Sequence, residues 1–135
     1  MVRRQGAGVH EYSIVRALVD RVEAAAVARG ATAVRSIAVR IGELAGVDVE
    51  LLATAYRTLA AGTLCERSAL EVSTVAARWA CRDCGAAIAA GGPLRCAACD
   101  GPAALQQGDE ILLERMEIDV DDDGKDTTDV RHARI

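Results

Sequence analysis

The chain predicts an α+β fold: a small mixed three-stranded sheet with two helices, and a compact module inserted before the last strand. Three observations carry this expectation. Apolar residues recur at helical spacing in two segments and alternate along three others. Cys81, Cys84, Cys96 and Cys99 form two Cys-x-x-Cys pairs separated by eleven residues. The alternating segments lie on both sides of those pairs, so the chain leaves a sheet, makes a metal-held excursion and returns.

The first helix is expected over Glu11 to Arg29. Ile14, Leu18, Val22 and Ala25 repeat at its spacing, Val15, Val19 and Ala26 widen the stripe, and Gly30 supplies a stop. Val34 to Ile41 reads as a strand, with Ile37, Val39 and Ile41 alternating against Ala38 and Arg40. Asp48 is placed to cap a second helix whose stripe is Leu51, Leu52, Ala55, Tyr56 and Leu59, closed by Gly62. Leu70 to Val75 alternates again, and Glu110 to Val120 does so through Leu112, Met116, Ile118 and Val120, interrupted by Glu114. A strand–helix–strand crossover makes the first two strands parallel; the returning strand is expected antiparallel to a neighbour.

Each cysteine pair presents two thiolates from one turn, so two facing turns complete a tetrahedral S4 site of the kind that holds structural Zn2+. Gly85, Gly91, Gly92, Pro93 and Gly101 supply turn and loop chemistry around a zinc-ribbon-like module. A closed S4 shell leaves no position for water or substrate, so it anchors structure. Cys65 stands alone and reads as a small buried hydrophobe. The expected organisation is a leader or mis-assigned start over 1–8, an α/β domain from 9–78 and 104–120, a zinc-binding domain over 79–103, and a disordered acidic tail over 121–135, whose Asp-Asp-Asp-Gly-Lys-Asp-Thr-Thr-Asp run has little to bury.

Composition narrows the function. At 135 residues the chain suits one ordinary domain plus a small insertion. Phe is absent and aromatics are 2% of the residues, which gives base stacking little to work with. The formal net charge of -4 argues against a phosphate-binding surface. No apolar run of about 18 residues suggests a membrane span, the start lacks the apolar stretch of a signal peptide, and a cytoplasmic location is expected. In a reducing compartment paired cysteines favour metal over disulfides. There is no Gly-x-x-x-x-Gly-Lys phosphate loop, so linked nucleotide hydrolysis belongs to a partner.

His10, directly before the first helix, offers an imidazole beside backbone amides, a donor set favoured by Ni(II) and Cu(II). His10-Glu-Tyr-Ser-Ile14, Arg40-Ile-Gly-Glu-Leu-Ala-Gly-Val47, the two cysteine pairs and Leu113-Glu-Arg-Met-Glu-Ile118 together closely resemble the HypA/HybF family of hydrogenase nickel-insertion proteins. The resemblance covers about residues 9 to 120. It implies a non-enzymatic nickel metallochaperone for [NiFe]-hydrogenase, with an α/β nickel-binding domain and a zinc domain. Implied partners are the GTPase HypB and the hydrogenase large subunit, with urease served in some relatives. Implied ligands are His10 and Glu11 for transferable Ni2+ and Cys81, Cys84, Cys96 and Cys99 for Zn2+, in a monomer or homodimer that binds neither nucleic acid nor membrane.

In the family the chain opens Met-His-Glu and the terminal amine joins the imidazole and amides on nickel; here Val9 stands where that Met belongs. A valine codon read as initiating Met reconciles the two, and the alternative is a genuine leader with a modified nickel site. Glu11 is expected to offer its backbone amide and a carboxylate that orients the site, or to stabilise the positive end of the first helix. Two other readings share the cysteine spacing: a zinc-ribbon interaction module for nucleic acid or transcription machinery, which the acidic charge disfavours, and a redox protein, which needs a thiolate at a helix start.

Overall fold

The computed structural model describes the backbone of residues 3–121 and 124–135, and the side chains of 10–121 and 135. In chain order the elements are α1 (Arg3–Ala28), β1 (Ala31–Gly42), α2 (Val49–Ala60), β2 (Ala69–Val75), β3 (Arg78–Cys81), β4 (Ala87–Ile88), β5 (Ala103–Gln107), β6 (Ile111–Val120) and β7 (Gly124–Arg134). The larger sheet has the order β2-β1-β6-β7, and a second sheet, β4-β3-β5, is inserted between β2 and β6.

The mixed three-stranded sheet is present as β2-β1-β6. β1 runs parallel to β2 from Ser36↔Ala69 to Gly42↔Val75 and antiparallel to β6. The helical stripe of α1 buries Ile14, Val15, Leu18, Val19, Val22 and Ala26 against Val34, Ile37, Val39 and Ile41 of β1, with Leu52, Ala55, Tyr56 and Ala60 of α2 in the same cluster. Alternate strand positions carry a charged ladder. Arg35 pairs with Asp119 at 2.8 Å, Arg40 with Glu114 at 2.6 Å and Arg115 with Glu71 at 3.3 Å.

Glu114 does more than interrupt an apolar run. Ala38 faces Arg115 and Val39 faces Leu113, so Glu114 is the extra residue of a β-bulge. The bulge changes which side chains point inward: Leu113 is buried, where the plain alternation puts Leu112 on the core face.

Three boundaries differ from the sequence reading. α1 begins at Arg3, so the leader segment 3–8 continues the helix; Arg3-Arg4-Gln5 and Ala7 are good helix formers, and Gly6 and Gly8 weaken the turn without breaking it. The strand Ala103–Gln107 pairs with β3 in the cysteine-bearing sheet, whereas residues 104 onward were expected in the larger domain. The tail expected to be disordered forms β7, paired with β6 from Val120↔Gly124 to Leu112↔Arg134. The pairing follows main-chain register with β6, which asks little of side chains.

The two sheets meet where chain segments cross in close contact. The Gly42 and Leu44 amides donate to the carbonyls of Glu110 and Gly108 at 2.8 and 2.7 Å, and the Glu43 amide donates to Val75 at 2.8 Å. Ala77 N–H donates to the Glu43 carboxylate. A Cβ on Gly42 would overlap the Gly108 carbonyl group, so only glycine lets these backbones approach.

Candidate metal sites

The four paired cysteines converge: their sulfurs all lie within 4.8 Å of one another. The two ligand turns are built alike. In each, the first cysteine accepts amide hydrogen bonds at sulfur, Cys81 from Asp83 at 3.3 Å and Cys84 at 3.4 Å, and Cys96 from Ala98 at 3.3 Å. Each turn is also closed on its main chain, by Gly85 N–H on the Cys81 carbonyl at 3.0 Å and Asp100 N–H on the Cys96 carbonyl at 2.8 Å. The equivalent residues Gly85 and Asp100 both adopt the left-handed conformation, with φ of 80° and 63°. Aspartate tolerates that conformation better than most residues, and Arg95 grips its carboxylate through Nε at 3.1 Å and Nη2 at 3.5 Å.

Four sulfurs about 2.3 Å from a tetrahedral zinc ion stand about 3.8 Å apart. Here Cys81 Sγ lies 3.5 Å from Cys99 Sγ, and Cys84 Sγ lies 3.6 Å from Cys96 Sγ, each distance joining one turn to the other. Gly101 packs directly on this cluster, where a Cβ would fall 2.8 Å from Cys81 Sγ. The donor set and spacing fit a structural zinc ion. In the metal-free state the Cys84 and Asp83 amides pull the Cys81 thiol down to about 7, and the Cys99 and Ala98 amides lower Cys96 likewise. Cys99 is pushed up to about 12, chiefly by its contact with Cys81. Cys84 is also raised, the lowering effect of the Ala86 amide being outweighed by the neighbouring thiols.

Cys65 takes no part. It is fully buried in the larger core, its amide donating to Thr63 Oγ1 at 3.0 Å, and burial pushes its thiol up.

The amino-terminal residues are arranged differently. His10 is exposed. Glu11 is 0% exposed, and its Oε2 accepts the Asp48 amide at 2.7 Å. Asp48 is the N-cap of α2, its Oδ1 accepting from Glu50 and Leu51 at 3.0 and 3.2 Å. A capping box would place Glu or Gln three residues after the cap to take the cap's own N–H; that position is Leu51, and Glu11 supplies the acceptor from another helix. The carboxylate thus serves the start of α2, whereas the sequence suggested the positive, amino-terminal end of the first helix; with α1 opening at Arg3, Glu11 lies inside that helix. Glu11 Oε1 is buried with no partner among the described residues. Among those residues the cysteines alone form a group of three or more potential ligands, so His10 and Glu11 are adjacent in chain without being gathered into a closed metal shell.

A two-helix mixed sheet with an inserted S4 module defines a small metal-binding α+β protein. Comparison with known proteins makes this specific. Residues 9–118 match the family described as hydrogenase/urease nickel incorporation, metallochaperone, hypA, and the chain belongs to that family. The hydrogenase maturation factor HypA of Wolinella succinogenes is 34% identical over 119 residues, 86% of this chain and 100% of that protein. Its counterpart from Azotobacter vinelandii is 35% identical over 115 residues, covering 82% and 100%. The solution structure of the Ni metallochaperone HypA from Helicobacter pylori superposes with a TM-score of 0.64 at 25% identity, covering 82% of this chain and 98% of that one.

Proposed function

We propose that this chain binds Ni(II) at His10 and Glu11 and passes it on during [NiFe]-hydrogenase maturation, as an accessory protein rather than an enzyme, while zinc on Cys81, Cys84, Cys96 and Cys99 holds the inserted module. The observation that carries this reading is the family match from residue 9 to 118, which opens one residue before His10. Delivery to the hydrogenase large subunit, a GTPase partner such as HypB and action in the cytoplasm complete the proposal. Among the described residues no helix is long and apolar enough to cross a membrane.

The chemistry depends on which amides are free. In a helix each N–H bonds the carbonyl four residues back, so with α1 running from Arg3 the amides of His10 and Glu11 are committed to the turn before them. In a form that opens at residue 9, those amides belong to the first turn and have no helical acceptor. They then stand beside a terminal amine and the exposed His10 imidazole, a planar nitrogen set suited to Ni(II). Glu11 contributes by position: anchored on Asp48, it fixes the residue next to the imidazole.

Two forms of the protein test this, the full sequence and one opening Met-His10-Glu11. The short form is expected to bind nickel more tightly in calorimetric titration, with absorption typical of planar nitrogen ligation, and to lose binding in His10→Ala. Affinity should fall as pH falls, because the nitrogens must release protons to bind metal. Equal affinity of the two forms, or indifference of the short form to His10→Ala, would remove the nickel site from this end of the chain.

A further inference from the structure

Each ligand turn places one cysteine inside and one outside. Cys81 and Cys96, which open the turns, are buried, while Cys84 and Cys99, which close them, are exposed. The sulfurs meet crosswise. Buried Cys81 Sγ lies 3.5 Å from Cys99 Sγ, and buried Cys96 Sγ lies 3.6 Å from Cys84 Sγ. Every exposed cysteine of the cluster therefore touches a buried cysteine of the opposite turn. Ligation to zinc requires thiolates, and the thiolate is also the form that attacks a peroxide. An accessible thiolate beside a second cysteine is the arrangement in which oxidation ends at a disulfide instead of running on to sulfinic acid. Cys65 gives the contrast within the same chain, being fully buried in the other core.

We propose that the S4 module is a peroxide-responsive site as well as a zinc site: Cys84 and Cys99 react first, and each is resolved by the buried cysteine across from it. In the first step the exposed thiolate attacks one oxygen of the peroxide. The O–O bond breaks, the sulfur becomes a sulfenic acid and hydroxide leaves. In the second step the thiolate of the buried partner attacks that sulfur, the S–S bond forms, the S–O bond breaks and a second hydroxide leaves. Per bridge, two thiolates give up two electrons, and one hydrogen peroxide becomes two waters with two protons from solvent. Two bridges consume all four thiolates, so the ligands that hold zinc are lost. The response is stoichiometric and does not need the helix-start thiolate of a disulfide-exchange enzyme.

Crosswise bridges also keep the module together without metal. Cys81–Cys99 and Cys84–Cys96 span 18 and 12 residues and tie the turn after β3 to the turn before β5. A bridge inside one Cys-x-x-Cys turn closes a far shorter loop, removes less freedom from the unfolded chain and leaves the two turns unconnected.

The test is disulfide mapping by mass spectrometry on the zinc-loaded full chain after hydrogen peroxide, with released zinc followed by a colorimetric chelator. Cys81–Cys99 and Cys84–Cys96 should dominate, one zinc should leave for about two peroxides consumed, and Cys65 should stay reduced. Cys81–Cys84 and Cys96–Cys99 bridges, sulfinic or sulfonic acid at Cys84 or Cys99, or a cluster that resists peroxide would overturn the proposal. It rests on the zinc assignment but fails separately: metal content before peroxide tests that assignment, and the bridges formed afterwards test the pairing. Amide hydrogen exchange gives a second reading. The oxidised, zinc-free chain should keep protection in β3–β5 that the chelated, reduced chain loses, and equal loss in both would show that the bridges do not tie the turns.

Discussion

At Glu11, a fully buried carboxylate holds the Asp48 N–H with one oxygen and leaves the other without a partner among the described residues. Removing the acceptor takes away the partner of the Asp48 N–H, and hydrogen bonds to charged groups are worth about 1.5–3 kcal/mol. Glu11→Ala should therefore lose stability of about that size in urea unfolding, and Glu11→Gln, which keeps an acceptor of the same reach, should recover much of it. Equal stability of all three proteins would mean that α2 needs no cap from α1. This contact was not legible in the sequence, because its partners lie 37 residues apart; the signal available was the missing Glu or Gln at position 51. The zinc ligands were legible for the opposite reason: each turn carries its pair within four residues, so spacing alone specifies the geometry. Cys65→Ser should leave zinc content unchanged yet cost about 1–3 kcal/mol, the usual penalty for a poorly satisfied buried hydroxyl, read by metal analysis and unfolding of the same sample.

Among elements, the small sheet depends most on its metal. Its apolar cluster consists of Cys81, Ile88 and Cys96, with Trp79, Ala86 and Ala103 packed around them, and two of its three buried members are themselves ligands. So small a core does not hold a fold unaided. Chelation should disorder β3–β5, seen as a change in Trp79 fluorescence and loss of amide protection, while the helical signal of α1 and α2 persists; a sheet that survives chelation would contradict a metal-held module. Zinc binding should also weaken as pH falls. The sign follows from the thiols: Cys99 and Cys84 are raised in the metal-free state, so at neutral pH they surrender protons when zinc binds, and below about 7 Cys81 joins them. The helices and β1 could be read from periodicity because each packs one stripe into a common core. β7 could not, since its pairing is made by main chain and its side-chain pattern carries no comparable signal. The bulge at Glu114 was visible only as a break in alternation, and the shift from Leu112 to Leu113 had to come from the register itself.

For the whole molecule, the placing of the cysteine module on the larger sheet rests on one crossing. Gly42 ends β1, Glu43 bonds the segments leaving β2, Leu44 bonds the segment entering β6, and Asp48, four residues on from Leu44, meets Glu11. The Gly42–Asp48 segment therefore links the strands that flank the S4 module to Glu11 of α1, by main-chain bonds at Gly42, Glu43 and Leu44 and by the carboxylates of Glu43 and Glu11. Gly42 is the point to test, because its requirement is purely steric: its φ is not positive, yet a Cβ there would strike the Gly108 main chain. Overpacking of this kind costs about 1–3 kcal/mol, so Gly42→Ala should lower the unfolding midpoint and speed exchange of the Gly42 and Leu44 amides. Gly46→Ala provides the contrast. Gly46 has open space around it but a φ of 73°, so its cost of about 1 kcal/mol is one of backbone conformation and should leave the crossing amides protected. If Gly42→Ala and Gly46→Ala behave alike, with protection at Leu44 retained in both, the close approach of Gly42 and Gly108 is not what seats the module on the sheet.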